Sequence, residues 1–336
     1  MREMKILITG ATGFLGGWVL EKLQMEFGYN QVVGTGRNQS RADELIKQGY
    51  NILIGDLKDP DFVKNSFSNI THIVHCAAKS SPWGTYDSFY EDNVQTTINL
   101  LEKILTIEKF IYISTPSVYF NFNDRLNIKE SDPLPKKFVN HYATTKYLAE
   151  QKVLNFDKPD MMRVIIRPRA IVGARDTVII PRVIRAYEAG RLKIIGNGKN
   201  ICDFSSVKNI AQAVFLALTT ENNINKKVFN ITDDQPVALW PLLQSTLSKL
   251  GFSAKLKKIN YKLVFTVAAI SEFMSKYFSK KEPVLSRYGI GVLKYSLTLD
   301  ITEAKKHLKY KPIVTTEKSI DEFVYYYHEQ KGSNSD

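Results

Sequence analysis

The run Thr-Gly-Ala-Thr-Gly-Phe-Leu-Gly at residues 9–16, directly behind Ile6-Leu7-Ile8, constrains this chain more than any other stretch. A short apolar strand feeds a glycine-rich turn, and Leu15, Val19 and Leu23 then recur at helical spacing. Gly10, Gly13 and Gly16 keep the pattern G-x-x-G-x-x-G. Glycines at such a turn permit tight torsions and let the main chain approach a pyrophosphate lying on the N-terminus of the following helix. By itself the triplet fits an ordinary strand-to-helix turn equally well, so its context has to decide.

That context is an alternation of strands and helices. Lys5–Thr9, Gln31–Thr35, Asn51–Ile54, His72–Cys76, Phe110–Ser114 and Arg163–Arg167 are short, Ile/Val-rich and bounded by turn residues, with helical periods such as Val94, Ile98 and Leu101 between them. The pattern predicts an α/β fold, a doubly wound parallel sheet of Rossmann type with ligands at the carboxyl ends of its strands. After Arg167 the rhythm changes: strand-like Lys193–Ile195 and Lys227–Ile231 mix with helical Asn209–Leu218, Trp240–Leu250 and Thr316–Gln330. Residues 1–170 plus 203–233 are therefore expected to form a nucleotide-binding domain, 171–202 plus 234–330 a smaller α/β substrate domain, and 331–336 a disordered tail.

Composition removes several function classes. The net charge of +12 is spread along the chain without zinc-finger spacing or a basic arm, which argues against nucleic acid. Two cysteines, Cys76 and Cys202, are too few for a disulfide framework and fit a reducing compartment. The chain enters a strand at once, leaving no room for a signal peptide, and no apolar run reaches the roughly 20 residues that span a bilayer. A cytoplasmic location is expected. His72 and His75, three apart on a strand, face opposite sides, so no metal site is expected.

Tyr142 and Lys146 lie four apart at the start of a helical stretch running to about Leu154, which stacks them on one face. An ammonium beside a phenol favours the phenolate and predicts a tyrosine pKa lowered from about 10. Chance supplies about two Tyr-x-x-x-Lys pairs in a chain this rich in both residues, and Tyr277/Lys281 and Tyr327/Lys331 share the spacing. Position separates them. Only Tyr142 follows a strand ending in hydroxyls, Ser114 and Thr115, either of which could bond a substrate oxygen or simply a local turn.

The ordered set of motifs resembles the extended short-chain dehydrogenase/reductase family over nearly the whole chain. To the glycine turn it adds Gly-Asp-Leu at 55–57, His-Cys-Ala-Ala at 75–78 and Asn-Val-Gln-Thr-Thr-Ile-Asn-Leu-Leu at 93–101. Ser-Thr-Pro-Ser-Val-Tyr at 114–119, Tyr-Ala-Thr-Thr-Lys at 142–146, Arg-Pro-Arg-Ala-Ile-Val-Gly at 167–173 and Asp-Phe-Ser-Ser-Val-Lys-Asn-Ile-Ala at 203–211 complete it. The chain looks most like the 3β-hydroxysteroid dehydrogenase branch, from Ser-Thr-Pro-Ser-Val-Tyr, Gln-Pro-Val-Ala-Leu-Trp at 235–240 and Leu-Asp-Ile-Thr-Glu-Ala at 299–304. Nucleotide-sugar epimerases and dehydratases are the nearest competitors. Their usual arginine before Asp-Phe is Cys202 here, unless Arg175 or Arg287 compensates.

The resemblance implies Thr115, Tyr142 and Lys146 as catalytic residues with Asn93 behind Lys146, and a homodimer formed through helices near Val94 and Tyr147. It implies a cofactor site of Gly10, Thr12, Gly13, Phe14, Leu15, Gly16, Asp56, Leu57, Ala77, Ala78, Lys79, Tyr142, Lys146 and Pro168. No acidic residue ends the second strand, where one would bond the adenosine ribose of NAD; Arg37 stands there and could meet a 2′-phosphate, so NADP(H) is preferred over NAD(H). Ser81, Trp83, Tyr119, Phe120, His141 and Arg169 are the substrate candidates, suited to a hydrophobic, sterol-like or long-chain 3-hydroxy/3-keto molecule. The expected reaction is hydride transfer between nicotinamide and a secondary alcohol or ketone. A nucleotide-sugar epimerase or dehydratase is the first alternative and a non-catalytic NADP-binding sensor the second. Residues 255–281, where eight basic residues of the 250–290 stretch flank an apolar run, read either as peripheral contact with an anionic membrane or as a lid helix.

Overall fold

The computed structural model describes residues 3–81, 83–279 and 282–333. Its first five strands are β1 (Ile6–Thr9), β2 (Val32–Gly36), β3 (Ile52–Ile54), β4 (His72–His75) and β5 (Lys109–Ile113). β6 (Arg125–Ile128), β7 (Met162–Pro168), β8 (Ile171–Val172), β9 (Ile194–Ile195), β10 (Ile201–Cys202), β11 (Ser205–Ser206) and β12 (Lys227–Ile231) follow. β13 (Val237–Ala238), β14 (Lys258–Ile259) and β15 (Leu297–Leu299) close the series. Seven of them form one parallel sheet in the order β12-β7-β5-β4-β1-β2-β3.

Successive side chains of a strand point to opposite faces, and here both faces are apolar. Ile6 and Ile8 enter a core with Leu20 of helix Phe14–Phe27 and Val214 of helix Val207–Thr219. Leu7 enters the opposite core with Leu100 and with Val153 of helix His141–Leu154. The sheet is therefore doubly wound, as expected. The strand order reverses between β1 and β4, which opens a crevice at their carboxyl ends.

The later segments form smaller sheets, β13-β10-β15-β6, β11-β8 and β14-β9, beside two further apolar clusters, one with Trp240, Leu247 and Phe323 and one with Ile128, Leu297 and Leu299. β6 pairs with β15, so residues 125–128 are tied to the C-terminal part of the chain. The expected disordered tail needs correction: helix Thr316–Ser333 continues through 331–333, while 334–336 lie outside the described residues.

One buried ion pair joins the elements that carry the site. Glu150 of helix His141–Leu154 takes a two-pronged bond from Arg167 of β7, at 2.5 Å (Nη2) and 3.0 Å (Nε), and a further bond from the Ser114 hydroxyl just beyond β5. Both charged side chains are buried. Burial disfavours the guanidinium, but the Glu150 carboxylate outweighs it and holds Arg167 above its ordinary range. Arg167 also donates to the Tyr119 hydroxyl (2.5 Å), which donates to Asn230 of β12 (3.0 Å). Removing one partner of a buried pair leaves the other charge uncompensated, so Glu150→Ala should lower unfolding free energy by about 3–5 kcal/mol. Chemical denaturation checks this, and an unchanged midpoint would remove the pair from the account.

Candidate active site

The glycine turn is closed on both sides by main chain. Gly10 has φ +68°, and a Cβ there would stand 2.9 Å from the Ala77 backbone across the crevice. A Cβ on Gly16 would fall 2.1 Å from the Gly10 carbonyl oxygen. Gly13 is exposed and caps helix Phe14–Phe27 without a side chain, and the first turn holds no acidic residue. That leaves a positive helix end framed by backbone, which fits a dinucleotide pyrophosphate. Thr12, Phe14 and Leu15 are half-buried beside it, and the Thr12 hydroxyl fills the space that a side chain on Gly36 would need.

Arg37 follows β2 and is exposed; its Nη1 donates to Asp92 at 3.0 Å and lies 3.8 Å from Asp56. Asp56 caps a local turn through the Lys58 N–H (3.0 Å), whereas Asp59 caps helix Pro60–Ser66. Leu57 is a core residue whose carbonyl accepts from the buried Asn99 amide at 2.9 Å. Beyond β4, the Ala77 N–H donates to Thr9 (3.1 Å), Ala78 is exposed, and the Lys79 ammonium bonds Ser88 and lies over the Phe89 ring at 5.3 Å. Pro168 is buried at the end of β7.

Asn93 sits in a single π-helical turn, Glu91–Gln95, a local irregularity frequent at functional sites. It accepts from the Lys79 N–H at 2.7 Å and donates to Thr145 at 3.0 Å, tying the loop after β4 to the helix that carries Tyr142 and Lys146.

Tyr142, Thr115 and Lys146 come together at the carboxyl end of β5. Burial pushes the Tyr142 phenol up to about 12, opposed by a hydrogen bond with Thr115. This corrects the expectation of a lowered tyrosine pKa. Lys146 shares the helix face, but its long stem carries Nζ to the Ile113 carbonyl (2.5 Å), 4.1 Å above the Tyr112 ring. Burial lowers Lys146 to about 7, against the pull of Glu150.

Thr115 also accepts from the Ser117 N–H (3.2 Å) and donates to the Ser117 hydroxyl (3.0 Å), which bonds the Tyr288 hydroxyl at 2.8 Å. A hydroxyl chain Thr115–Ser117–Tyr288 results, with Tyr142 beside its first member. Ser117 stood in a motif without being singled out. Tyr288 comes from a distant helix that no local pattern linked to the site. Glu150 was missed as well, and only its spacing one turn after Lys146 could have pointed to it.

Several substrate candidates are reassigned. Tyr119 is fully buried, with its hydroxyl held by Arg167 and Asn230. Phe120 is also buried, packed edge-on against Phe122 and Tyr288. Ser81 and Trp83 bond one another in a local turn. His141 is exposed with its ring against Tyr86 at 5.7 Å. Arg169 is half-buried just past β7.

Both arginines offered as substitutes at Cys202 are paired elsewhere in this structure. Arg175 forms a two-pronged pair with Glu21 on helix Phe14–Phe27, and Arg287 is bound to Glu272 at 2.6 Å. His75 is buried between Thr9 (2.6 Å) and Thr97 (3.1 Å) and lowered to about 3 by burial. Among the described residues no group of three or more His, Cys, Asp or Glu could hold a metal.

The family model described as "NAD dependent epimerase/dehydratase family" matches residues 6–232. A 2-alkyl-3-oxoalkanoate reductase of Stenotrophomonas maltophilia is 31% identical, over 94% of this chain and 97% of its own length. The mouse (Mus musculus) sterol-4-alpha-carboxylate 3-dehydrogenase, decarboxylating, is 28% identical over 97% and 92%. Among solved structures, a UDP-glucuronic acid 4-epimerase from Bacillus cereus in complex with NAD superposes with a TM-score of 0.74 at 23% identity, covering 97% of each chain. The chain belongs to the NAD dependent epimerase/dehydratase family, as an oxidoreductase of the extended short-chain type and of its 3β-hydroxysteroid dehydrogenase-like branch.

Proposed function

We propose that this chain interconverts a hydrophobic 3-hydroxy acid and its 3-keto counterpart. The juxtaposition of Tyr142 and Thr115, with Lys146 one helical turn away beside the glycine crevice, carries the reading. Both relatives quoted act, by name, on a molecule bearing an oxygen function at C3 and a carboxylate. The bound nicotinamide would supply or accept the hydride. In the reducing direction negative charge grows on the carbonyl oxygen. Tyr142, protonated at neutral pH because burial raises its pKa to about 12, donates the proton, and Thr115 adds a second bond to the same oxygen. Lys146 would hold the ribose hydroxyls of the bound cofactor, and Asn93 acts as a positioning residue through Lys79 and Thr145.

Residues 1–170 with 203–233 would hold the cofactor and 171–202 with 234–330 the substrate. NADP(H) is the proposed preference: the Arg37–Asp92 pair is exposed, and exposed pairs contribute only about 0–1 kcal/mol. Arg37 can therefore turn to a 2′-phosphate at little cost. A homodimer through the helices near Val94 and Tyr147 fits the family, although Val94 itself is core.

Peripheral contact with an anionic lipid surface is proposed for 255–281. Helix Tyr261–Met274 buries Val264 and Ala268, and exposes Leu263, Val267, Ile270 and Phe273 along its other side, continued by Phe278 at 70% exposure. Lys255, Lys257, Lys258, Lys262 and Lys276 around this stripe are exposed, while Lys280 and Lys281 lie outside the described residues. An apolar stripe rimmed by ammonium groups complements anionic headgroups. Among the described residues no helix is long and apolar enough to cross a membrane.

Tyr142→Phe should reduce kcat by about 10²–10⁴-fold while leaving the cofactor Kd nearly unchanged, and retained turnover would exclude the assignment. Steady-state kinetics should give a higher kcat/KM with NADPH than with NADH, and a roughly tenfold smaller ratio in Arg37→Ala, from the loss of a charge-assisted phosphate contact. Equal values in both proteins would count against the preference. In flotation assays the protein should bind vesicles containing phosphatidylglycerol, and Phe278→Asp should release it; no binding by the unaltered protein would leave only the lid reading.

A further inference from the structure

Arg169 is set between the sheet and the C-terminal strands. Its N–H approaches the Ile231 carbonyl (3.2 Å) and the Ser205 hydroxyl (3.0 Å), which fixes where the side chain starts. Its Nε is buried without a hydrogen-bond partner, and among the described residues the guanidinium joins no ion pair. A buried guanidinium donor left unmatched is costly in a protein interior, so it calls for an explanation.

Asn200 shows the same condition. It is 4% exposed, and both Nδ2 and Oδ1 are buried without partners. Exposure then alternates, Ile201 at 40% and Cys202 at 3%, so Asn200 and Cys202 share the inward face of this extended run. β8 and β11 align Ile171 with Ser205, which brings Arg169 level with Asp203 and beside Cys202 in the run that Asn200 begins, and its charge bears on both side chains. Asp203 does not satisfy it: its Oδ2 accepts from the Leu299 N–H at 2.7 Å.

Pairing in the sheet carries this arrangement to the reacting end. β5 and β7 align Ile113 with Ile166, so the next positions bring Thr115 level with Pro168, one residue before Arg169. An anion bound at Arg169 would then lie at the carboxyl end of β7, next to the strand end that carries Thr115. A guanidinium fork matches a carboxylate in two parallel bonds, and the unpartnered Asn200 amide on the neighbouring run would supply a neutral donor.

We propose that Arg169, with Asn200 alongside, is the anchor for the carboxylate of the substrate and sets the preference for 3-keto acids over plain ketones. The inference rests on the keto-acid reading above and adds the residues that read the acid group. A phosphate would satisfy the same donors, so the test separates the two anions.

The enzyme with NADPH is assayed against 3-oxodecanoate and against 2-nonanone, which lacks the carboxylate. Arg169→Leu should raise KM for the acid by roughly 10- to 100-fold, the worth of a hydrogen bond to a charged group, and change kcat or the ketone KM little. Arg169→Lys should recover part of the loss, and Asn200→Ala should show a smaller loss of the same kind. Equal losses for acid and ketone, or no change for the acid, would overturn the anchor. Should the unaltered enzyme reduce neither compound, the keto-acid reading falls, and calorimetry with decanoate and with UDP decides the anchor separately. Decanoate binding abolished by Arg169→Leu supports it, whereas UDP binding alone, or decanoate binding indifferent to the substitution or absent, overturns it.

Discussion

The buried pair of Glu150 and Arg167 is the constraint on which the rest of the site depends. A parallel sheet brings β5 and β7 side by side, but it does not dictate how deeply a covering helix sits or how it is rotated. Glu150 does so by taking bonds from Arg167 on β7 and from Ser114 at the end of β5. Thr115 follows Ser114 directly, and Lys146 lies one turn before Glu150 on the same helix. One carboxylate thus fixes the hydroxyl, the amine and the phenol relative to one another. A buried ion pair is a poor source of net stability, since desolvation consumes much of the Coulombic gain. Its geometry is specific, however, and an active site needs that more.

The electrostatics of the site follow from its depth. Burial favours neutral forms, raising Tyr142 and lowering Lys146, so the phenol is kept as a proton donor and the amine is near its titration point. Glu150 opposes the effect at Lys146, and the Thr115 bond opposes it at Tyr142. The hydroxyl chain through Ser117 to Tyr288 extends the polar site toward the C-terminal helices. Tyr288 also packs on Phe120, and Phe122 meets Phe265 of the exposed amphipathic helix. The proposed lipid-facing surface and the reacting hydroxyls are therefore joined by continuous aromatic packing.

Much of the fold was legible because its signals are local. Apolar runs, helical periods and a glycine turn each declare themselves within about ten residues, and β12 was read to the residue. The Tyr142–Thr115 association was legible through chain order. What escaped were consequences of tertiary contact. A helical spacing brings the stems of Tyr142 and Lys146 together, yet it says nothing about the Ile113 carbonyl that captures the amine. Tyr119 and Phe120 stood beside the expected cleft in sequence but turn into the core. Arg175 and Arg287 looked free until folding set Glu21 and Glu272 against them. Arg169 has the opposite history: only the packed structure reveals that its Nε is buried without a partner.

The central claim is that the site carries out a net reduction or oxidation, in contrast to an epimerase that restores its cofactor within each cycle. The most direct measurement follows NADPH absorbance while the protein acts on a long-chain 3-oxo acid, with UDP-glucose and NAD as the parallel reaction and product analysis for both. The account predicts stoichiometric loss of NADPH with formation of the 3-hydroxy acid, and no change in the sugar nucleotide. Conversion of UDP-glucose without net change in the cofactor, together with no reaction of the keto acid, would contradict it.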